Sequence, residues 1–272
     1  MENKSSNIEL LFGLETYCEF LKNEKDREFI HDIINVLKSE NVDESLFDYC
    51  LKRIDRDELL RSIKSYSKNN DIQPIKDGLS RSQVRSKIWL VEELRNLGTD
   101  YSNIVVMGSW FGQLVSIFDK VIRFNKFRLL DLDKSFCEAS DYNFNLKYLE
   151  NYQVKAICAD VNKLTLYKNG YEWNVENFKD GSSYSEKFLP NLIINTSAEH
   201  MTEEWLHQIR FKELASNPIV AIQSNNMFDG DGHINCVHSV DHMKKKFPMK
   251  EVLYEGELQL KGYKRVMIIG RP

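Results

Sequence analysis

The 272-residue sequence predicts an α/β protein: a three-layer domain over residues 98–272 built on a mostly parallel sheet, preceded by a helical region over residues 1–97. Three observations predict it. Short, continuous apolar runs rich in β-branched residues recur from Ile104 onward, separated by helix-length segments, as a parallel sheet covered on both faces requires. The last twenty residues switch to two extended runs broken at Gly262, which read as an antiparallel hairpin at the sheet edge. The first third instead carries apolar residues at helical spacing within charge-rich stretches.

Taken in order, the helical region runs from Ile8 to about Lys68, with Phe29, Ile33, Ile34 and Leu37, then Leu46, Tyr49, Leu51 and Ile54, near one-face spacing. No Gly or Pro interrupts between Gly13 and Pro74. Ser65 to Gly78 is polar, holds Asn69-Asn70-Asp71, Pro74 and Gly78, and reads as a loop. A helix from about Ser80 to Leu97 follows, with Val84, Ile88, Val91, Leu94 and Leu97 on one side and Gly98 at its cap. The strands are then Ile104–Met107, Arg128–Asp131, Val154–Cys158, Leu192–Ile194 and Ile219–Ile222, closed by the pair Val252–Leu260 and Tyr263–Ile269. Tyr167 to Phe188 is polar and reads as an insertion or a long loop.

Composition narrows the functions. A 42% apolar content suffices for a core, and twelve Gly with five Pro argue against collagen-like, low-complexity and turn-rich all-β designs. With 37 basic and 41 acidic residues the net charge is −4, so neither duplex nucleic acid nor an anionic membrane is the expected partner. No run reaches the ~18 apolar residues of a spanning helix. Met1-Glu2-Asn3-Lys4-Ser5-Ser6 lacks the pattern of a secretory signal. Five dispersed cysteines without a C-x-x-C pair read as free thiols in a reducing cytoplasm, not as a disulfide framework or a zinc site.

The chemistry collects at the ends of the predicted strands. Gly108-Ser109-Trp110-Phe111-Gly112 follows the first strand, where glycine lets the backbone turn tightly and approach a ligand, with a helix from Gln113 pointing its positive end there. Its glycines are too few for the dinucleotide pattern, which favours a smaller, less anionic nucleoside over a pyrophosphate. The second strand ends in Leu130-Asp131-Leu132-Asp133, whose carboxylate can accept from ribose hydroxyls. The third ends in Ala159-Asp160-Val161-Asn162, placing a second acid where it could accept from an adenine amine. The fourth ends in Asn195-Thr196-Ser197-Ala198-Glu199-His200, and the fifth in Gln223-Ser224-Asn225-Asn226.

In these residues the chain from about Asn103 to Pro272 resembles the class I S-adenosylmethionine-dependent methyltransferases. The resemblance rests on the Gly108–Gly112 loop, Asp131, Asp160, the strand tip at Asn195 and the terminal hairpin. It implies a Rossmann-like, seven-stranded sheet with a reversed last strand and S-adenosylmethionine as cofactor. Gly108, Ser109, Trp110 and Gly112 would line the cofactor's amino-acid portion, Asp131, Leu132 and Asp133 its ribose, and Asp160 and Val161 its adenine, with Asn195 and Thr196 beside them. Two departures stand. The first loop lacks a leading acid before Met107-Gly108, and Asn195-Thr196-Ser197-Ala198 is not the Asn-Pro-Pro-aromatic signature of exocyclic-amine methylation.

The expected reaction is therefore methyl transfer to an N or O of a small polar metabolite. Asn195, Glu199 and His200 are the catalytic candidates: His200 could take a proton, Glu199 could anchor an ammonium, and either could instead cap the helix near Thr202. Arg85, Ser197, Gln223, Asn225 and Asn226 are the acceptor-binding candidates. Against these stand an ordinary Asn-rich turn and a solvated basic face on the helix bearing Arg81, Gln83 and Arg85. Trp110 walls a pocket or packs on its neighbouring helix. Asp229-Gly230-Asp231-Gly232-His233 lacks the spacing of an EF-hand, and His233, Cys236, His238 and His242 lack a partner cluster, so no metal is expected. Two rival readings remain: attack on the cofactor's aminocarboxypropyl carbon with release of methylthioadenosine, and a non-catalytic cofactor-binding scaffold.

Overall fold

The computed structural model describes residues 13–21, 24, 27, 28, 31, 34, 35, 73–148, 153–178 and 180–272. The helical expectations at Phe29, Ile33, Leu37, Leu46, Tyr49, Leu51 and Ile54 lie outside the described residues. Residues 13–20 are helical. Leu14, Tyr17, Cys18 and Leu21 are buried in the same core as the helix that precedes the sheet. Gly13 makes that approach possible: a Cβ there would lie 1.6 Å from the Leu79 carbonyl oxygen.

Part of the polar stretch expected as a loop is helical instead. Gln73–Gly78 (α1) forms a short helix with Pro74 in its first turn, where the missing N–H has no intrahelical partner to lose. Helix α2 (Arg81–Asn96) matches its expectation closely. Ser80 caps it by accepting from the Gln83 N–H, and Gly98 follows the Leu97 C-cap at φ +64°.

The main sheet contains β1 (Asn103–Met107), β2 (Lys126–Asp131), β3 (Val154–Cys158), β7 (Leu192–Asn195), β8 (Ile219–Asn225), β9 (Glu251–Gln259) and β10 (Lys264–Arg271), in the order β3-β2-β1-β7-β8-β10-β9. Pairing is parallel through β8, and β10 is antiparallel to both β8 and β9. The hairpin is present, but its second strand is inserted between β8 and β9, so β9 forms the edge. Burial explains this. Val266, Met267, Ile268 and Ile269 of β10 are apolar on both faces and need cover, whereas β9 alternates exposed and half-buried residues as an edge strand does.

The two faces follow strand alternation. Ile104, Val106, Phe127, Leu129, Ala156 and Ile194 pack with α2, α3 (Gln113–Phe118) and α4 (Lys134–Tyr148). Val105, Met107, Leu130, Ile157, Ile193 and Val220 pack with α5 (Glu204–Lys212) and α6 (Val240–Lys246). Apolar side chains on both faces of each central strand are what hold the three layers together.

The segment expected as an insertion or long loop is a second sheet. Strands β4 (Thr165–Tyr167), β5 (Gly170–Glu176) and β6 (Ser183–Phe188) pair antiparallel. Tyr171, Trp173 and Val175 alternate inward, a period-two signal diluted by the intervening Glu172 and Asn174. Trp173 stacks between Tyr171 and Phe188, and Arg128 of β2 ties the small sheet to the large one through two 2.7 Å bonds to Glu186. Among the described residues, no helix is long and apolar enough to cross a membrane.

Candidate functional site

Every parallel strand of the main sheet ends on one rim, and the Gly108–Gly112 loop occupies its centre. Three of its five residues are left-handed: Gly108 at φ +68°, Trp110 at +54° and Gly112 at +74°. For Trp110 that conformation carries strain of ~1–2 kcal/mol, so surrounding contacts must hold it. They do. The Trp110 N–H donates to Asp131 Oδ2 at 2.7 Å, the Ser109 N–H to the Leu130 carbonyl at 2.9 Å, and the Ser140 hydroxyl to the Trp110 carbonyl at 3.4 Å. The indole packs edge-on against Phe111 and Phe136, and its buried Nε1 has no partner.

Asp131 is thus a brace for the loop as well as a rim carboxylate. Its second oxygen accepts from the Asp133 N–H at 3.0 Å. Burial pushes its carboxyl above the ordinary range against those N–H bonds. It stays half-exposed at the strand tip, and each oxygen keeps a further lone pair for a ligand hydroxyl. Leu132 beside it is 71% exposed. At the next tip Asp160 caps its own turn, accepting from the Asn162 N–H at 3.0 Å and pairing with Lys163 at 3.3 Å, while Val161 is buried.

Across the rim, the β7 tip is folded by its own side chains. Asn195 is fully buried, accepts from the Ser197 N–H at 3.0 Å and donates to Met201 Sδ at 3.0 Å. It shapes the turn that carries Glu199. Ser197 and Met201 lie under Gly108: a Cβ there would meet Met201 Cε at 3.0 Å and Ser197 Cβ at 3.4 Å.

Glu199 is the centre of a buried polar cluster. Its Oε1 accepts from Arg265 at 2.6 Å and from Asn225 Nδ2 at 2.7 Å, while its buried Oε2 has no partner. Arg265 also donates to Gln83 Oε1 at 3.2 Å, and Lys87 Nζ donates to the same oxygen at 3.0 Å. On β8, buried Gln223 makes reciprocal bonds with Ser86 of α2, at 2.9 Å from its hydroxyl and 3.0 Å to its carbonyl. Burial, then the neighbouring Arg265 charge, lowers the Lys87 ammonium to about 7, with Glu199 opposing.

The structure therefore brings Glu199 and Asn225 together, with Thr196 touching Arg265 through its carbonyl, whereas the Gln223 amide is engaged by Ser86 and Met267. Arg85 faces solvent, and exposed Asn226 binds the Lys264 backbone to pair β8 with β10. His200 lies at the exposed margin of the cluster, its Nδ1 3.2 Å from the Gly232 carbonyl. Sequence reasoning missed Lys87 and Arg265. The available signals were Gln83 and Lys87 one helical turn apart, and Arg265, the second of two adjacent cations, directly before the apolar run Val266–Ile269.

No protein-family model matches the chain, and neither does any curated protein. Among solved structures it is similar to the magnesium protoporphyrin IX methyltransferase of Synechocystis PCC 6803 with bound SAH, at 12% identity, a TM-score of 0.49, and coverage of 78% of this chain and 91% of that one. It is also similar to a SAM-dependent methyltransferase of Leishmania major, at 14% identity and a TM-score of 0.49, covering 80% and 85% of the two chains. A third likeness is to the N-methyltransferase NodS of Bradyrhizobium japonicum WM9, at 9% identity and a TM-score of 0.47, covering 69% and 96%. The fold rests on the strand order. Seven strands, mostly parallel and with the last reversed, form the Rossmann-like sheet that the resemblance to methyltransferases implies.

Proposed function

We propose that this protein is an S-adenosylmethionine-dependent methyltransferase whose acceptor is a nitrogen or oxygen of a small polar metabolite. The observation that carries the reading is the strained Gly108–Gly112 loop after β1, clasped by Asp131 at the tip of the neighbouring β2. The residues present suit the cofactor. Gly108 lets the loop pack directly against Met201 and Ser197, and half-exposed Asp131 and Asp160 offer acceptors for ribose hydroxyls and an adenine amine.

S-adenosylmethionine, when bound, supplies a methyl group on a sulfonium, a centre that needs little further activation. The protein's task is then chiefly positioning. Glu199, anchored at one oxygen by Arg265 and Asn225, keeps Oε2 for an acceptor's hydroxyl or ammonium. His200 at the margin and Lys87, near its titration midpoint at neutral pH, are groups able to take the acceptor's proton. A buried cluster of this size suits a small molecule better than a macromolecular groove. Cys18, Cys137, Cys158 and Cys236 are free thiols, which supports a reducing compartment such as the cytoplasm.

The test is incubation of the purified protein with S-adenosylmethionine and a panel of polar amines and alcohols, with mass spectrometry of products. S-adenosylhomocysteine together with an acceptor gaining a methyl group supports the reading. Methylthioadenosine as product would move it to aminocarboxypropyl chemistry, and cofactor binding without any turnover would leave a scaffold.

A further inference from the structure

The loop that follows β8 brings His233 over the β7 tip, where Glu199 and His200 already stand. One donor atom from each of the three lies within 4.8 Å of the other two. The imidazoles meet edge to face, with centroids 4.6 Å apart.

The hydrogen-bonding state of each donor points the same way. His200 Nδ1 lies 3.2 Å from the Gly232 carbonyl, and His233 Nδ1 lies 2.7 Å from the Met227 carbonyl, with Cys236 Sγ at 3.6 Å. A carbonyl only accepts, so the Nδ1 facing it carries the hydrogen, and in the neutral ring that tautomer leaves Nε2 as the lone-pair nitrogen. An imidazole held through Nδ1–H by a backbone carbonyl is the usual state of a metal-bound histidine. Glu199 contributes an ionisable oxygen, Oε2, that is buried and unpartnered while Oε1 is held by Arg265 and Asn225.

The backbone around them is shaped for the rings. A Cβ on Gly230 would strike the His233 imidazole at 2.5 Å, and one on Gly232, at φ +70°, would lie 3.6 Å from His200 Nδ1. This accounts for Asp229-Gly230-Asp231-Gly232-His233, a segment whose spacing fits no EF-hand. Sequence left its histidine without a partner cluster, and the fold supplies one from a strand tip over thirty residues away.

We propose that Glu199, His200 and His233 form a binding site for one first-row divalent transition ion. Two imidazoles and one carboxylate select such an ion over Mg²⁺ or Ca²⁺, which favour all-oxygen sets. Donors bound at about 2.1 Å to one ion lie about 3–3.5 Å apart, so rotations of about an ångström close the set. Three protein donors leave positions open for water or an acceptor oxygen, unlike a closed structural site. With the ion bound, His200 and Glu199 Oε2 are ligands: the acceptor meets the ion's open positions in place of Glu199 Oε2, and proton removal falls to another group.

The experiment is titration of chelator-treated protein with Co²⁺, followed by visible absorption and calorimetry, then displacement by Zn²⁺. S-adenosylmethionine is absent throughout, so the result is independent of the cofactor reading. One equivalent should bind with new ligand-field bands. His233→Ala and His200→Ala should each weaken binding more than about 100-fold, and Gly230→Ala about 10–100-fold by displacing the ring while keeping every donor. Circular dichroism establishes that each variant is folded, and Gly230→Ala decides the matter should a histidine variant not fold. Absence of Co²⁺ and Zn²⁺ binding, or affinity unchanged in the folded variants, would overturn the proposal.

Discussion

Arg265, at the start of β10, donates to Glu199 Oε1 at 2.6 Å, and both side chains are buried where the reversed last strand meets the β7 tip. The Glu199 carboxyl is thereby paired inside the protein through one oxygen, with its second oxygen unpartnered. Strand order matters here. Only because β10 lies against β8 does Arg265 reach this position.

Removing one partner strands the other's charge. Arg265→Ala is expected to lower unfolding free energy by about 3–5 kcal/mol, measured by urea denaturation. The double variant Glu199→Gln with Arg265→Met should recover much of that loss, since neither member of the pair then leaves the other's charge unpaired. Equal destabilisation in the double variant would show that the cluster acts by packing alone.

Lys87 makes stability depend on pH in an unusual direction. Its ordinary value of 10.5 falls to about 7 on folding, so between those values the unfolded chain binds more protons. Stability contributed through this group therefore rises with pH across that window and is lowest below about 7. Lys87→Met should be more stable than the parent at pH about 6, with the advantage shrinking toward pH about 10. Denaturation curves across that range check the slope, and an advantage independent of pH would contradict it.

Glu186 behaves in the opposite sense. Burial raises its carboxyl, but the bonds and charge of Arg128, with the Trp173 indole, outweigh this and hold it below its ordinary 4.5. Its contribution is present above about 4.5 and is lost as pH falls through the lower folded value. Glu186→Gln should destabilise the protein at neutral pH and flatten its acid-unfolding profile. Thermal melts from pH about 3 to 7 read both effects.

Gly108 tests the rim directly. Ala at φ +68° carries ~1–2 kcal/mol of strain and places a methyl against Met201 and Ser197. Gly108→Ala is expected to remain folded while its affinity for S-adenosylmethionine falls at least about tenfold, a further ~1.4 kcal/mol. Unchanged affinity by calorimetry would remove the loop from the cofactor site.

The legible parts of the fold were those with redundant local signals. The β-branched runs at Ile104, Leu192 and Ile219 are buried on both faces, and helix α2 has both of its caps in sequence. The β4–β6 sheet was less legible because its alternation is interrupted by polar residues and its stabilising partner, Arg128, lies 58 residues before Glu186, the residue it binds. The site divides similarly. Rim acids announce themselves at strand ends. Lys87 and Arg265 enter the Glu199 cluster only through contacts between α2, the β7 tip and β10, which no local pattern encodes. Asn195 lies where expected, but its amide is engaged by its own turn.

The central claim is that the rim around Gly108 and Asp131 binds S-adenosylmethionine, and calorimetric titration of the purified protein tests it most directly, with NAD as comparator. Micromolar binding of S-adenosylmethionine is expected, together with its loss in Asp131→Ala, where the Trp110 N–H loses its acceptor and the loop its brace. No binding of S-adenosylmethionine, or tight binding of NAD in its place, would contradict the account.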